Sequence, residues 1–217
     1  MSEDIVASLR RHRLVPVIVI DDAGKAPALG RALAEGGLPC AEVTFRTAGA
    51  REALARLTGE CPDVLAGAGT VLTPAQAKEA RDAGARFIVA PGFNPSVVDY
   101  CLENDLPVFP GIATPSEIEA ALSKGLRVLK FFPAEPLGGV QYLKAISAPY
   151  GSIEFMPTGG VSIKNVASYL AFPNVVACGG SWMAPSEWIA SGDFERITGE
   201  VRNAVTAVQT TSGADHK

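Results

Sequence analysis

Short apolar runs rich in β-branched residues recur along the chain at intervals of roughly 21 to 26 residues, and an amphipathic stretch follows most of them. This alternation is typical of an α/β fold in which strands and helices take turns along the chain. The predicted strands span Val15–Ile20, Ala41–Phe45, Val64–Gly69, Arg86–Ala90, Pro107–Ile112, Val128–Phe132, Ile153–Met156 and Val175–Cys178.

The stretches between these runs begin and end with residues that favour helix termini. Proline opens several of them, at a position where its missing N–H costs no helical hydrogen bond. Glycine follows the end of several, as expected of a C-terminal cap. The predicted helices include Pro27–Gly36, Pro74–Ala83, Pro95–Asn104, Pro115–Lys124 and Ile163–Ala171.

The apolar runs are continuous, as expected of parallel strands that are buried on both faces. Eight strand–helix units in 217 residues predict a single (β/α)8 TIM barrel, with an extra helix before the first strand. An open doubly wound sheet is the alternative, but it usually carries a glycine-rich turn after its first strand, and residues 21–24 read Asp-Asp-Ala-Gly. We expect one domain over residues 1–217, with residues 210–217 as a frayed polar tail.

Composition and charge exclude several classes of protein. Apolar residues make up 47% of the chain and charged residues 19%, which excludes wholesale disorder. The net charge of −4 and the lack of a long Lys/Arg block argue against a nucleic-acid partner. The apolar runs have the length of strands, and the first residues lack the apolar core of a signal peptide. We therefore expect a cytoplasmic protein without a membrane partner.

Histidine and cysteine usage narrows the possible chemistry. The two histidines, His12 and His216, stand near opposite ends of the chain, and no two cysteines form a CxxC pair. A zinc or iron site built on clustered histidines is therefore excluded, as is a nucleophile that depends on a central histidine. Catalysis must come from lysine, glutamate, arginine, hydroxyl groups and backbone amides.

Two predicted strands contain charged residues, although burying a charge is costly. In residues 41–46 the period of two places Glu42, Thr44 and Arg46 on one face of the strand and Val43 and Phe45 on the other. The apolar pair suits the outer helices, so we expect the polar face to point into the barrel.

Lys130 is the lysine that stands inside an apolar strand, between Leu129 and Phe131. A buried structural ion pair with Glu42 is one interpretation, but such pairs seldom recover their desolvation cost. The alternative is amine chemistry, in which a neutral lysine attacks a ketone and forms a Schiff base. Glu42 would then move protons, and the Arg46 guanidinium would match a substrate carboxylate. This set of groups suits a 2-oxo acid.

Two glycine-rich loops follow the last two predicted strands, at residues 157–161 and 178–182. Glycine lets backbone amides approach an anion closely, and TIM barrels commonly bind phosphate at these two loops. We therefore predict a phosphate site formed by Gly159 and Gly160 with Gly179, Gly180 and Ser181. A weaker glycine pattern precedes Thr70, which is expected either to donate to a carboxylate or to cap the next helix.

These motifs resemble the family of 2-keto-3-deoxy-6-phosphogluconate (KDPG) and 4-hydroxy-2-oxoglutarate aldolases. Residues 37–46, Gly-Leu-x-x-x-Glu-Val-Thr-Phe-Arg, resemble the family's glutamate site. Residues 125–138, with Leu-Lys-Phe-Phe-Pro-Ala at 129–134, resemble its Schiff-base lysine site. Further matches at residues 15–18, 67–72, 157–160 and 179–182 extend the resemblance from about residue 5 to residue 208.

The resemblance implies a class I aldolase that reversibly cleaves KDPG to pyruvate and glyceraldehyde 3-phosphate, with no metal or other cofactor. It also implies an Entner–Doudoroff enzyme that forms a homotrimer, and 4-hydroxy-2-oxoglutarate as a further substrate. Lys130 would form the imine and Glu42 would transfer protons. The implied substrate contacts are Arg46 and Thr70 for the pyruvyl carboxylate, Pro91 and Phe132 for the pocket wall, Thr158 for the hydroxylated carbons, and Gly159, Gly160, Gly180 and Ser181 for the phosphate.

Three other functions remain open from the sequence. A sister aldolase would act on the galactonate-derived epimer or on unphosphorylated hydroxy-oxo acids. A phosphate-binding barrel isomerase or decarboxylase would use Lys130 as a point charge and form no covalent adduct. A non-enzymatic sugar-phosphate-binding barrel would have little use for a buried Lys and Glu.

Overall fold

The computed structural model describes residues 2–212 and contains nine strands and ten α-helices in this range. The strands are β1 (Leu14–Ile18), β2 (Cys40–Thr44), β3 (Leu65–Gly69), β4 (Ile88–Val89), β5 (Val108–Phe109), β6 (Gly111–Ile112), β7 (Val128–Phe131), β8 (Glu154–Pro157) and β9 (Cys178–Gly180). The helices are α1 (Ser2–His12), α2 (Ala26–Glu35), α3 (Ala50–Glu60), α4 (Pro74–Asp82), α5 (Pro95–Glu103), α6 (Pro115–Ser123), α7 (Gly139–Ser147), α8 (Val166–Leu170), α9 (Ser186–Ser191) and α10 (Phe194–Ser212).

Several helices begin where side-chain caps and proline coincide. Thr73, Asn94 and Thr114 each accept a hydrogen bond from a backbone amide of the first turn, and a proline follows each of them. At Thr114 the Glu117 carboxylate also accepts from the Thr114 amide, which completes a capping box. These helix starts follow directly from the local sequence.

All strand pairs are parallel, and they form two sheets. The larger sheet has the order β5-β4-β3-β2-β1-β9, and the smaller has the order β6-β7-β8. The prediction of a single closed (β/α)8 TIM barrel is therefore wrong. The strands form an open six-stranded sheet and a separate three-stranded sheet, and the run expected as one strand over Pro107–Ile112 is divided into β5 and β6.

Pro110 explains the first gap between the sheets. Its carbonyl accepts from the Lys130 amide at 2.9 Å, but its nitrogen carries no hydrogen to donate toward β7. As a result β5 pairs with β4, whereas β6 pairs with β7 through Gly111 and Lys130. The sequence shows the proline but not the strand toward which its nitrogen points.

Pro157 explains the second gap. Between β8 and β9 there are two isolated bridges, Phe155 with Val175 and Thr158 with Gly179. The Phe155 amide donates to the Asn174 carbonyl at 2.7 Å, and in a parallel ladder the next donor on the same strand is two residues later. That residue is Pro157, which has no amide hydrogen to donate, so the ladder is interrupted there and only the single bridge of Thr158 with Gly179 follows.

The carboxyl ends of the parallel strands meet at one end of the molecule, where α/β proteins place their ligands. The buried apolar residues behind them form one continuous cluster that includes Phe87, Phe131, Phe155 and Tyr169. Across residues 2–212 no helix is both long and apolar enough to cross a membrane. The predicted frayed tail over residues 210–217 lies mostly outside the described residues, since α10 is described to Ser212.

Candidate active site

Lys130 and Glu42 face each other in the interior. Glu42 lies on β2 opposite Val17 and Gly67, and Lys130 lies on β7 opposite Gly111 and Met156. Nζ of Lys130 donates to Oε1 of Glu42 at 3.2 Å, and the side chains are 5% and 1% exposed. Oε2 of Glu42 is buried and has no hydrogen-bond partner among the groups that the structure describes. One carboxylate oxygen therefore holds the amine and the other is available to a bound molecule.

Gly69 makes room for this carboxylate. It lies on β3, and a Cβ atom built there would overlap Oε1 of Glu42. Gly69 thus serves the buried glutamate directly, whereas Gly67 makes room for the Phe87 ring. The sequence pattern identified them only as a weak anion-binding motif.

The amine of Lys130 also lies over an aromatic face. Its Nζ is 5.2 Å from the centroid of the Phe132 ring, which is within the range of a cation–π contact. Phe132 follows β7 directly, so the same strand supplies the amine and one wall of its pocket.

Arg46 and Thr70 form a second pair at the carboxyl ends of β2 and β3. Nε of Arg46 donates to Oγ1 of Thr70 at 3.1 Å, and Arg46 is otherwise exposed. Thr70 has a φ of 56°, in the left-handed region that is costly for a β-branched residue. Thr44, on the same strand face as Arg46, instead donates to the Ile18 carbonyl at 2.7 Å.

The loop at residues 158–161 presents amides to the cavity. Its first three carbonyls accept hydrogen bonds from the Ala134 amide at 2.8 Å, the Glu135 amide at 3.0 Å and Nδ2 of Asn165 at 3.1 Å. Gly159 and Gly160 have φ values of 98° and 82°, which glycine adopts without strain. The amides of residues 159–161 donate to no group in the described part of the chain. Consecutive amides of this kind form an anion-binding concavity.

The second glycine loop packs against the first. A Cβ atom at Gly179 would overlap the Thr158 side chain, and one at Gly180 would overlap the Trp182 ring. Gly179 is buried behind Thr158, whereas Ser181 is exposed. Close packing, rather than anion contact, accounts for the glycine at position 179.

A cavity of about 470 Å³ joins most of these groups. Of the predicted site residues, Arg46, Phe132, Thr158, Gly159, Gly160, Gly180 and Ser181 line it. Lys130 adjoins the cavity through its contact with Phe132, and Glu42 lies behind Lys130. Thr70 adjoins it through its hydrogen bond with Arg46. Pro91 and Gly179 are not among the lining residues. The cavity is also lined by four residues to which sequence reasoning assigns no role: Trp182, Pro185, Ser186 and Glu187. These four residues lie at or directly after the second glycine loop, and that position is the sequence feature that could have identified them as cavity-lining residues.

A larger depression of about 1020 Å³ lies at the opposite end of the strands. Apolar residues such as Leu106 and Phe109 line it, together with Arg10 and Glu154, which form an ion pair. None of its lining residues belongs to the predicted site. The smaller cavity is therefore the candidate active site, because Arg46 and residues 159–161 line it and the Lys130 amine adjoins it through Phe132.

Two buried cysteines are further candidate nucleophiles in the interior. Burial raises the pKa of the Cys178 thiol, and also that of Cys40, which reaches about 12. Both sulfurs therefore remain protonated at neutral pH. Over residues 2–212 no group of three or more His, Cys, Asp and Glu side chains is placed to hold a metal ion.

Comparison with known proteins gives a consistent set of matches. The family model described as "KDPG and KHG aldolase" matches residues 5–199. A 2-dehydro-3-deoxy-phosphogluconate aldolase of Treponema pallidum is 53% identical over 194 residues, which cover 89% of this chain and 92% of that protein. The Haemophilus influenzae enzyme of the same name is 42% identical over 208 residues, covering 96% and 98%. A solved KDPG aldolase from Legionella pneumophila, with pyruvate captured at low pH as a covalent carbinolamine intermediate, matches with a TM-score of 0.89 at 40% identity, covering 92% and 97%.

Proposed function

The chain belongs to the KDPG and KHG aldolase family, and from that premise we propose that Lys130 and Glu42 carry out its reaction. The protein is a class I aldolase, a lyase that reversibly cleaves KDPG to pyruvate and glyceraldehyde 3-phosphate. The observation that carries the assignment of residues is the buried contact of 3.2 Å between the Lys130 amine and the Glu42 carboxylate.

Lys130 forms the covalent intermediate. Its neutral amine attacks the C2 carbonyl of KDPG to give a carbinolamine, and loss of water gives a protonated imine. The C3–C4 bond then breaks, and its electron pair moves toward the imine nitrogen to form an enamine. Addition of a proton to C3 of the enamine gives the imine of pyruvate. Hydrolysis of this imine releases pyruvate and regenerates the amine.

Glu42 moves the protons that these steps require. It accepts a proton from the Lys130 amine, and its second oxygen, which has no hydrogen-bond partner among the described residues, remains free for proton transfer. In cleavage a base takes the proton of the C4 hydroxyl group, and an acid then delivers a proton to C3 of the enamine. Glu42 performs both transfers, since it is the carboxylate in contact with the amine.

The remaining groups bind the two ends of the substrate. Arg46 and Thr70 hold the pyruvyl carboxylate, because a guanidinium fork and a hydroxyl donor match its two oxygens. Phe132 flanks the imine carbon, because its ring lies against Nζ of Lys130, and Thr158, which lines the cavity, contacts the hydroxylated carbons. The amides at residues 159–161, together with Gly180 and Ser181, form the phosphate subsite, whereas Gly179 packs behind Thr158.

Borohydride reduction in the presence of pyruvate tests this assignment. The reduced imine is a stable adduct, and peptide mass mapping should place it on Lys130 alone. Lys124→Met is the matched control, since Lys124 pairs with Asp99 at 2.6 Å on the surface and the variant should still form the adduct. A folded Lys130→Met protein that still forms the adduct would contradict the role of Lys130. Absence of any adduct in the parent protein would instead favour an isomerase or decarboxylase.

The same site accommodates 4-hydroxy-2-oxoglutarate, because its pyruvyl half is shared with KDPG and forms the same imine. Glyoxylate would be the second product. Cleavage of both compounds, followed as pyruvate release, measures how strongly the phosphate subsite favours KDPG.

We further propose that residues 1–217 form one domain, that the protein is a homotrimer, and that it acts in the cytoplasm. The support for the trimer is the resemblance to the family. Light scattering after size exclusion tests it, since a trimer has three times the chain mass of 22.6 kDa. A mass of one or two chains across the micromolar range would contradict it.

A further inference from the structure

The exposed residue Glu135 and the buried Tyr169 lie outside the cavity, beside the loop at residues 158–161. The Tyr169 hydroxyl donates to Oε1 of Glu135, and the Tyr169 side chain is fully buried. The stem of Glu135 packs against the loop, because a Cβ atom at Gly160 would lie 2.6 Å from Cβ of Glu135. The Glu135 amide also donates to the Gly159 carbonyl at 3.0 Å.

Tyr169 lies on α8, and the residue before that helix supplies the other anchor of the loop. Nδ2 of Asn165 donates to the Gly160 carbonyl at 3.1 Å, and Oδ1 of Asn165 accepts from the Ser162 amide at 2.8 Å. The Tyr169–Glu135 hydrogen bond thus joins α8 to the segment after β7. Asn165 directly precedes α8, and the segment after β7 contains the Glu135 amide, so the bond links the two anchors of the loop.

We propose that Tyr169 and Glu135 are positioning residues that fix the two carbonyl anchors of the loop and thereby set its affinity for the phosphate of the substrate. This inference rests on the proposed function, since it assumes that the amides of residues 159–161 bind phosphate. With the carbonyls of Gly159 and Gly160 held on the protein side, the following amides are turned toward the cavity.

The charge of Glu135 makes the tyrosine necessary in this position. A carboxylate behind a phosphate-binding loop repels the bound anion, and without a partner it is free to move from the loop. The phenol holds it in place, and hydrogen bonds to charged groups are among the stronger ones in proteins. Burial raises the pKa of Tyr169, and the carboxylate raises it further, so the phenol remains a donor at neutral pH.

The test compares a phosphorylated with an unphosphorylated ligand. Tyr169→Phe should raise KM for KDPG about tenfold, equivalent to about 1.4 kcal/mol. The pyruvate concentration that gives half-maximal borohydride trapping should change much less, because pyruvate has no phosphate. Tyr150→Phe is the matched control: it removes another phenol–carboxylate hydrogen bond, from Tyr150 to Glu119 at 3.0 Å, and should leave both values unchanged.

A second readout does not depend on turnover. Trp182 lines the cavity. The substitution Trp188→Phe leaves Trp182 as the single tryptophan of the chain. In that background, inorganic phosphate should change the fluorescence of Trp182, and Tyr169→Phe should weaken the apparent phosphate affinity about tenfold. If Tyr169→Phe does not fold, two variants of Glu135 replace it. Glu135→Gln should keep the phosphate affinity, because its amide oxygen still accepts from Tyr169, whereas Glu135→Ala should lose that affinity.

Several outcomes would overturn the inference. An unchanged KM for KDPG in Tyr169→Phe is one, and a parallel loss for KDPG and pyruvate, as expected of general destabilisation, is another. Equal phosphate affinities for Glu135→Gln and Glu135→Ala would also overturn it. Failure of the proposed function is distinguishable, because the parent protein itself would then cleave no KDPG.

Discussion

The amine of Lys130 lies 3.2 Å from Oε1 of Glu42, although 88 residues separate them along the chain and both side chains are buried. A buried ion pair contributes little to stability, because the desolvation of two charges offsets their attraction. The proposed reaction accounts for its presence, because that reaction needs an amine and a proton carrier in contact, away from bulk water. Activity should therefore require both side chains, whereas stability should depend on whether one charge is left buried without its partner.

Glu42→Gln should reduce kcat for KDPG cleavage by about 10²- to 10⁴-fold, the usual contribution of a general acid–base group. Glutamine keeps the shape of the side chain but carries no proton between the amine and the substrate. Pyruvate release coupled to a dehydrogenase measures the rate. A decrease of less than fivefold in a correctly folded variant would contradict the role of Glu42.

Stability should follow the charge balance of the pair. Lys130→Met leaves the Glu42 carboxylate buried without its partner, which should cost about 3–5 kcal/mol of unfolding free energy. Adding Glu42→Gln removes that charge, so the double variant should regain most of the loss. Urea unfolding of the two single variants and the double variant measures the coupling. Additive losses would show that the two side chains do not interact energetically.

The buried contact between Lys130 and Glu42 could be anticipated from the sequence because both residues violate the local pattern. Lys130 stands in a strand that is otherwise apolar, and Glu42 and Arg46 share one strand face, so their positions required an explanation. The closed barrel was predicted wrongly because closure depends on which neighbour each strand amide faces. Pro110 and Pro157 interrupt hydrogen bonding between particular strand pairs, and those pairs are set by the tertiary structure.

The supporting contacts of the site were equally inaccessible to sequence reasoning. Tyr169 and Glu135 are 34 residues apart, and neither has a local pattern that identifies the other as its partner. Trp182 and Glu187 reach the cavity because the chain folds back after β9. Such contacts depend on how helices pack, and no periodicity along the chain reports that packing.

Gly69 should tolerate no side chain. A methyl group at this position would overlap Oε1 of Glu42, so Gly69→Ala must displace the carboxylate from Lys130. We expect kcat to fall at least about tenfold, because small displacements of reacting groups are costly. Gly59→Ala is the control: Gly59 lies in α3 with open space around it, and the change should stabilise the protein by about 0.5–1 kcal/mol without loss of activity. Equal activities of the two variants would contradict this account.

Thr70 should show a conflict between stability and binding. Its left-handed backbone, with a φ of 56°, costs about 1–2 kcal/mol for a residue with a Cβ atom, and glycine removes that cost. Thr70→Gly should therefore keep or raise the melting temperature. It should also raise KM for KDPG, because Arg46 loses its hydroxyl partner. Thr70→Ser keeps the hydroxyl group and should keep KM close to the parent value. A lower melting temperature for Thr70→Gly, measured by scanning calorimetry, would contradict the strain.

The cysteines should resist thiol reagents until the protein unfolds. Burial raises the pKa of Cys40 and of Cys101 to about 12, and that of Cys178 higher still, so almost no thiolate exists at pH 8. Iodoacetamide should leave these three thiols unmodified in the native protein and alkylate all of them in guanidinium. Mass spectrometry of the native and unfolded proteins measures the difference. Rapid native alkylation of Cys178 would contradict its burial beside the second glycine loop.

The same raised pKa values predict how stability depends on alkaline pH. Above about pH 9 the thiols of the unfolded chain lose protons that the native protein still holds, so the unfolded state binds fewer protons and unfolding becomes easier. The contribution of the thiols to stability is therefore complete below about pH 9 and is lost progressively as the pH approaches about 12. Cys40→Ala and Cys101→Ala should each flatten the fall in melting temperature between pH 9 and 11, although each variant lowers the melting temperature at pH 7 by leaving a small cavity. A pH dependence identical to that of the parent protein would show that these thiols ionise equally in both states.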